Sequence, residues 1–173
     1  HQYIIGADPA EGNPSSDDSV ACVVDRNGLE EVATLAGKIE PNVFAGYLVE
    51  LSKIYHGAQI MVERNNHGHA VILALSDVYN YRNKLLTGLD LHVGWQTTAK
   101  SKALMYSLGA DLLRDKQGII HCAKTKTQLT LVEGATLEAP EGELDDYAIA
   151  YMLALTSAAS QPVETFAVKY MSR

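Results

Sequence analysis

Hydrophobic and polar residues change period several times along the chain, and each change marks an element. Tyr3-Ile4-Ile5-Gly6-Ala7-Asp8 is a short apolar run ending in an acid, as a buried strand would be. Pro9 to Asp18 is polar, with Gly12, Asn13, Pro14 and two serines, and predicts a loop. Val20 to Asp25 reads as a second strand and Leu29 to Ala36 as a third. Arg26-Asn27-Gly28 between them supplies turn chemistry. Three strands joined so closely predict an antiparallel meander.

The period then becomes helical. Val43, Phe44, Tyr47, Leu48, Leu51, Ile54 and Tyr55 fall on one face, with Pro41 suited to the first turn and Gly57 to the stop. Gln59 to Glu63 is a fourth strand that again ends in an acid. Asn65 to Gly68 predicts a turn, Ala70 to Tyr81 a second helix and Leu91 to Trp95 another strand. Thr98 is a candidate cap for a helix running to about Lys116, with Gly118 as its stop. Ile119 to Cys122 reads as a short strand, Gln128 to Val132 as a helix, and Glu133 to Glu143 as a loop or hairpin. Asp145 and Asp146 open a last helix that reaches about Ala158. The order is β-β-β-α-β-α-β-α-β with a closing helix, a mixed sheet with helices on its faces. Residues 1–160 are expected to form one domain and 161–173, which lose periodicity, a tail.

Composition changes this picture little. The chain has 173 residues, 47% of them hydrophobic, enough for one sizeable core. No apolar stretch is long enough to span a bilayer, since the best candidate, Tyr147 to Ala159, is short and begins beside two aspartates. Cys22 and Cys122 lie in separate apolar runs without zinc-ribbon spacing and read as buried thiols. The net charge of −7 argues against binding nucleic acid by bulk electrostatics. It leaves room for an enzyme whose clustered carboxylates hold metal.

Such a cluster is the candidate chemistry. Asp8 ends the first strand, Glu63 ends the fourth, and Asp145 and Asp146 begin the last strong helix. Strand ends lie at the rim of a sheet, where polar groups meet water and ligand. If the first and fourth strands are neighbours, Asp8 and Glu63 face one site, and a helix packed beside them adds Asp145 or Asp146. Carboxylates held together are stable only when protonated or bound to cations. Two Mg²⁺ ions about 4 Å apart can activate water and stabilise the leaving oxygen of a phosphodiester. Each acid also has a plainer reading. Asp8-Pro9 favours a turn, Asp145 suits a helix N-cap, and Glu63 could pair with Arg64.

The order and spacing of four segments resemble the nuclease domain of tailed-bacteriophage terminase large subunits. Gly6-Ala7-Asp8-Pro9-Ala10-Glu11-Gly12 with Asp17-Asp18-Ser19 is similar to that family's opening motif, and Val62-Glu63-Arg64-Asn65-Asn66-His67-Gly68 to its second acidic motif. Trp95-Gln96-Thr97-Thr98 with Lys100 and Lys102 resembles its Thr-Lys segment, and Leu144-Asp145-Asp146-Tyr147-Ala148-Ile149-Ala150 its closing Asp-Asp helix. The resemblance implies a ribonuclease H-like α/β fold, an antiparallel meander plus parallel strands flanked by helices. It also implies a metal-dependent endonuclease, with two Mg²⁺ or Mn²⁺ ions, that cuts double-stranded concatemeric DNA during genome packaging in the host cytoplasm. Asp8 would bridge the ions, Glu63 bind one, and Asp145 or Asp146 the other. Partners implied are an ATPase motor domain, the portal and the small terminase subunit, with no membrane. The chain has no G-x-x-x-x-G-K-[ST] segment and should not hydrolyse ATP by that route. Leu144 stands where family members often carry His.

Lys100 and Lys102 are candidate contacts to the scissile strand, and Arg64, Lys124 and Lys126 further DNA contacts. Arg82 and Lys84 suit a solvated face as well as a phosphate. His67 and His69 open a helix near Glu63, while His121 and Trp95 read as structural. Other ribonuclease H-like nucleases, a junction resolvase or transposase core, would share these acids but prefer branched DNA. An actin-like ATPase half would need a longer chain. A binding domain whose acids are only caps and turns would hold no metal.

Overall fold

Strand alternation decides what each face of the sheet carries. The computed structural model describes residues 1–160, so the expected tail at 161–173 lies outside the described residues. Strands β1 (Tyr3–Asp8), β2 (Ser19–Asp25) and β3 (Glu30–Gly37) form the expected antiparallel meander. Strand β4 (Gln59–Val62) lies on the other side of β1 and runs parallel to it, giving the order β3-β2-β1-β4. A parallel neighbour requires a crossover connection. Helix α1 (Pro41–Ile54) supplies it, and Phe44 and Leu48 pack against Ile5, Ala7, Val23 and Ile60 on one face.

Side chains one position out of phase, Ile4, Val20, Cys22, Val24 and Met61, face the opposite side. There helix α5 (Asp146–Ser160) lies across β1 and β2, and α3 (Ala99–Arg114) and α4 (Ala123–Leu131) cover its back. Every residue of α5 from Asp146 to Ala158 is buried, which accounts for a helix apolar all round. Gly6 sets the distance between α5 and the sheet. A Cβ on it would sit 2.1 Å from the Ala150 carbonyl oxygen and 2.5 Å from the Ala154 nitrogen.

Four expected elements differ. The second helix begins earlier, at α2 (Gly68–Leu73), and continues as a π-helical turn over Ala74–Val78. Leu91 to Trp95 is not a strand. A tight reversal pairs Thr87 with Val93, and only Trp95 bridges the end of β4, at Glu63. Ile119 makes a single bridge to Glu30, after which the chain turns into α4 at Ala123, five residues before the expected start at Gln128. The turn has a cause. The buried carboxylate of Glu31 accepts from the backbone N–H groups of His121 and Cys122, both at 2.7 Å, and these can no longer extend a ladder. Cys22 and Cys122 are free thiols. No helix among the described residues is long and apolar enough to cross a membrane.

Candidate active site

Asp8 and Glu63 come together through backbone register. Ala7 is level with Val62 on the parallel pair, and the Glu63 N–H continues the ladder by donating to the Ala7 carbonyl at 2.8 Å. Asp8 is in phase with Ile4 and Gly6, and Glu63 with Met61, so alternation aims both carboxylates at the α5 face. Beyond Glu63 the chain doubles back so tightly that a Cβ on Gly68 would lie 1.7 Å from the Glu63 carbonyl oxygen. Asn65 fastens the incoming loop. Its Oδ1 accepts from Gln96 Nε2 at 2.9 Å and from Thr97 N–H at 2.8 Å, and its Nδ2 donates to the Thr97 carbonyl at 2.9 Å. Thr97, so held, donates its hydroxyl hydrogen to Glu63 Oε1.

The close contact at Gly6 brings the start of α5 beside the end of β1. Asp146 is buried there, and its Oδ2 accepts the Asp18 N–H at 3.2 Å from the loop after β1. Asp145 precedes the helix but does not cap it. Its carboxylate lies 3.5 Å from Lys102 Nζ of α3, and the helix N–H groups of Tyr147 and Ala148 donate to Gln128 Oε1 of α4 instead. The plain N-cap reading of Asp145 therefore fails, because another residue has taken the bonds.

These elements enclose a cleft of about 480 Å³. Seven carboxylates line it, from Asp8, Glu11, Asp17, Asp18, Glu63, Asp145 and Asp146, with one ammonium, Lys102. Asp8 keeps some surface on the cleft but is set deep among protein atoms, and that desolvation is the main cause holding its carboxyl well above the usual range. Glu63 adds to it by charge and by a side-chain hydrogen bond, and Asp146 and Asp145 by charge. Asp146 is pushed up to about 6, first by burial and then by Asp17, against the lowering effect of the Asp18 N–H.

The donor set is all oxygen and strongly anionic, which suits hard divalent cations such as Mg²⁺ or Mn²⁺. Among the described residues no three acidic, histidine or cysteine side chains already close around one point. The residues fit such an ion by the chemistry of their donors.

The basic candidates separate. Lys102 lines the cleft, whereas Lys100, two positions earlier and so about 200° around the helix, borders a surface pocket with Trp95 and Leu104. Arg64 does not pair with Glu63. Its guanidinium bonds Asp90, with further bonds to Gln96 Oε1 at 3.2 Å and the Val93 carbonyl at 3.4 Å. Lys124 stands over the Tyr147 ring, 5.1 Å from its centroid, and Lys126 is exposed on α4. Lys84 packs over Gly57, at the opposite end of β4 from Glu63, and Arg82 is in the same short turn. His67 lines the cleft; His69 is exposed, and His121 pairs with Glu30 at 2.7 Å. Sequence reasoning gave no role to Asn65, Thr97 or Gln128. Asn65 and Thr97 lay inside the motifs quoted above, but nothing local marked Gln128.

No protein-family model matches the sequence, and no curated protein matches it. Among solved structures, the large terminase nuclease from thermophilic phage G20c with bound cobalt aligns with a TM-score of 0.72 and 19% identity, over 90% of this chain and 81% of that one. The same nuclease with bound magnesium gives 0.71 and 18% over the same shares. The large terminase nuclease domain of Thermus phage P74-26 gives 0.66 and 18%, over 96% of this chain and 84% of that one. The likeness establishes the fold, the ribonuclease H-like architecture of large terminase nuclease domains.

Proposed function

We propose that this chain is a divalent-metal-dependent endonuclease that cuts double-stranded DNA, the nuclease domain of a phage large terminase. The observation that carries the reading is the convergence of Asp8, Glu63, Asp145 and Asp146, from two adjacent parallel strand ends and one helix start, on one open cleft. Structures of the same fold crystallised with bound magnesium, cobalt and zinc support it. In this reading Asp8 would serve both ions, Glu63 one of them, and Asp145 or Asp146 the other. Bound Mg²⁺ or Mn²⁺ supplies an activated water and neutralises charge developing on the phosphodiester.

The chain's own groups do the positioning. Thr97 fixes one oxygen of Glu63, whose side chain lines the cleft. Asp8, whose carboxyl is held above the usual range by burial and by its acidic neighbours, would have to bind a cation in its ionised form. Lys102, 3.5 Å from Asp145, neutralises that acid in the resting site and is placed to meet a phosphate oxygen when substrate enters. With a net charge of −7 and a cleft lined by acids, the domain has little bulk attraction for DNA. An ATPase motor domain on the same polypeptide, working with the portal and the small terminase subunit in the host cytoplasm, would hold the concatemer against this cleft.

Incubation with supercoiled plasmid in Mg²⁺, Mn²⁺ or chelator tests the activity. Metal-dependent nicking and linearisation are expected, with linear duplex cut at least as well as a four-way junction. Strong preference for the junction would instead identify a resolvase. Cutting that persists in chelator would rule out a metal nuclease.

A further inference from the structure

Helix α5 begins with a capping problem that is solved from a neighbouring helix. The first N–H groups of a helix have no partner within it, and an Asp just before the helix ordinarily accepts from the second or third of them. Asp145 holds that position, since its carbonyl already accepts the Ile149 N–H at 2.8 Å. The N–H groups it would cap belong to Tyr147 and Ala148. One atom, Gln128 Oε1, takes both, at 2.7 and 3.1 Å. Helix α4, which carries Gln128, is itself seated from the sheet. Buried Glu31 of β3 accepts the N–H groups of His121 and Cys122 and the Thr125 hydroxyl at 3.1 Å. Thr125 and Gln128 are three apart and share a helix face. Relieved of capping, the Asp145 carboxylate borders the cleft.

We infer that Gln128 is a positioning residue for the acid cluster: its amide oxygen caps α5 in place of Asp145 and keeps that carboxylate available to a divalent cation. The inference rests on the metal-site reading above. A neutral amide suits this place, because it satisfies two N–H groups without adding charge beside acids that already repel. Without it the helix N-terminus still attracts an anion, and Asp145 is the adjacent one. Loss of Gln128 should therefore withdraw a ligand and leave the helix folded.

The test uses Gln128→Met, which keeps side-chain length and removes the acceptor, and Gln128→Glu, which keeps the acceptor. In metal-free protein, side-chain couplings measured by NMR should show Asp145 changing χ1 rotamer in Gln128→Met and keeping the wild-type rotamer in Gln128→Glu. An unchanged rotamer in Gln128→Met overturns the proposal. So does failure of that variant to fold, because Asp145 would then not be taking over the cap. Calorimetry with Mn²⁺ should show affinity about tenfold weaker in Gln128→Met. That loss should vanish when both proteins also carry Asp145→Asn, since the two changes act through one group. Equal loss in both backgrounds means that Gln128 only stiffens α5, and overturns the proposal. Wild-type protein that binds no Mn²⁺ defeats the metal-site reading, and the rotamer measurement still decides whether Gln128 displaces Asp145 from the cap.

Discussion

Burial among like charges raises the carboxyls of Asp8 and Asp146, the latter to about 6. Each binds its proton more tightly in the folded chain than in the unfolded one, where Asp titrates near 3.9. The stability Asp146 contributes is complete below about pH 4 and is lost as pH rises through about 6. Asp146→Asn keeps an oxygen for the Asp18 N–H and removes the charge. In chelator it should gain on the wild type as pH rises from about 4 to about 7, reaching about 1–3 kcal/mol. Urea melts at both ends of that range check the sign, and a difference flat with pH contradicts it. Thr97→Val should lower Mn²⁺ affinity about tenfold by freeing Glu63, as loss of a ligand's supporting hydrogen bond commonly does. Calorimetry on that variant reads the effect directly. At this scale Asp8 and Glu63 were visible in the sequence because each ends an apolar strand. Gln128 was not, because its partners are 19 and 20 positions away and no local pattern signals a cap supplied from another helix.

Strands and helices place those residues, and here the long, strongly periodic segments matched expectation. The meander, α1, β4, α3 and α5 lie where period and caps put them, and Thr98 caps α3 through a reciprocal bond with Ser101. The short segments did not match. The 91–95 and 119–122 runs have strand-like composition, but a strand needs a continuous partner ladder, and each makes only isolated bridges before turning away. That β4 pairs with β1 is likewise a tertiary fact, which the sequence argument could state only as a condition. The contact between β1 and α5 matters most for the site, and Gly6 carries it. Gly6→Ala places a methyl carbon 2.1 Å from the Ala150 oxygen. Backbone on both sides cannot yield cheaply, so a loss of about 3 kcal/mol or more is expected in chemical denaturation. An unchanged midpoint would mean that α5 is not held this close.

For the whole molecule, charge and architecture point the same way. The fold is that of phage terminase nuclease domains, while a net charge of −7 leaves the isolated chain poorly equipped to grip DNA. Lys102 alone among the basic candidates lines the cleft, so Lys102→Ala should slow plasmid cutting by tenfold or more, whereas Lys100→Ala should leave it within about twofold. Comparable losses in the two variants would contradict the division of roles seen on α3. The central claim is that Asp8 and its neighbours form a divalent-metal site. It is tested most directly by titrating Mn²⁺ into metal-free wild type and Asp8→Asn, with thermal melts alongside. Saturable binding that stabilises the wild type is expected, with an Asp8→Asn variant that folds at least as stably without metal but loses that binding by at least about tenfold. Equal Mn²⁺ affinity in the two proteins would contradict it and return these carboxylates to a structural role.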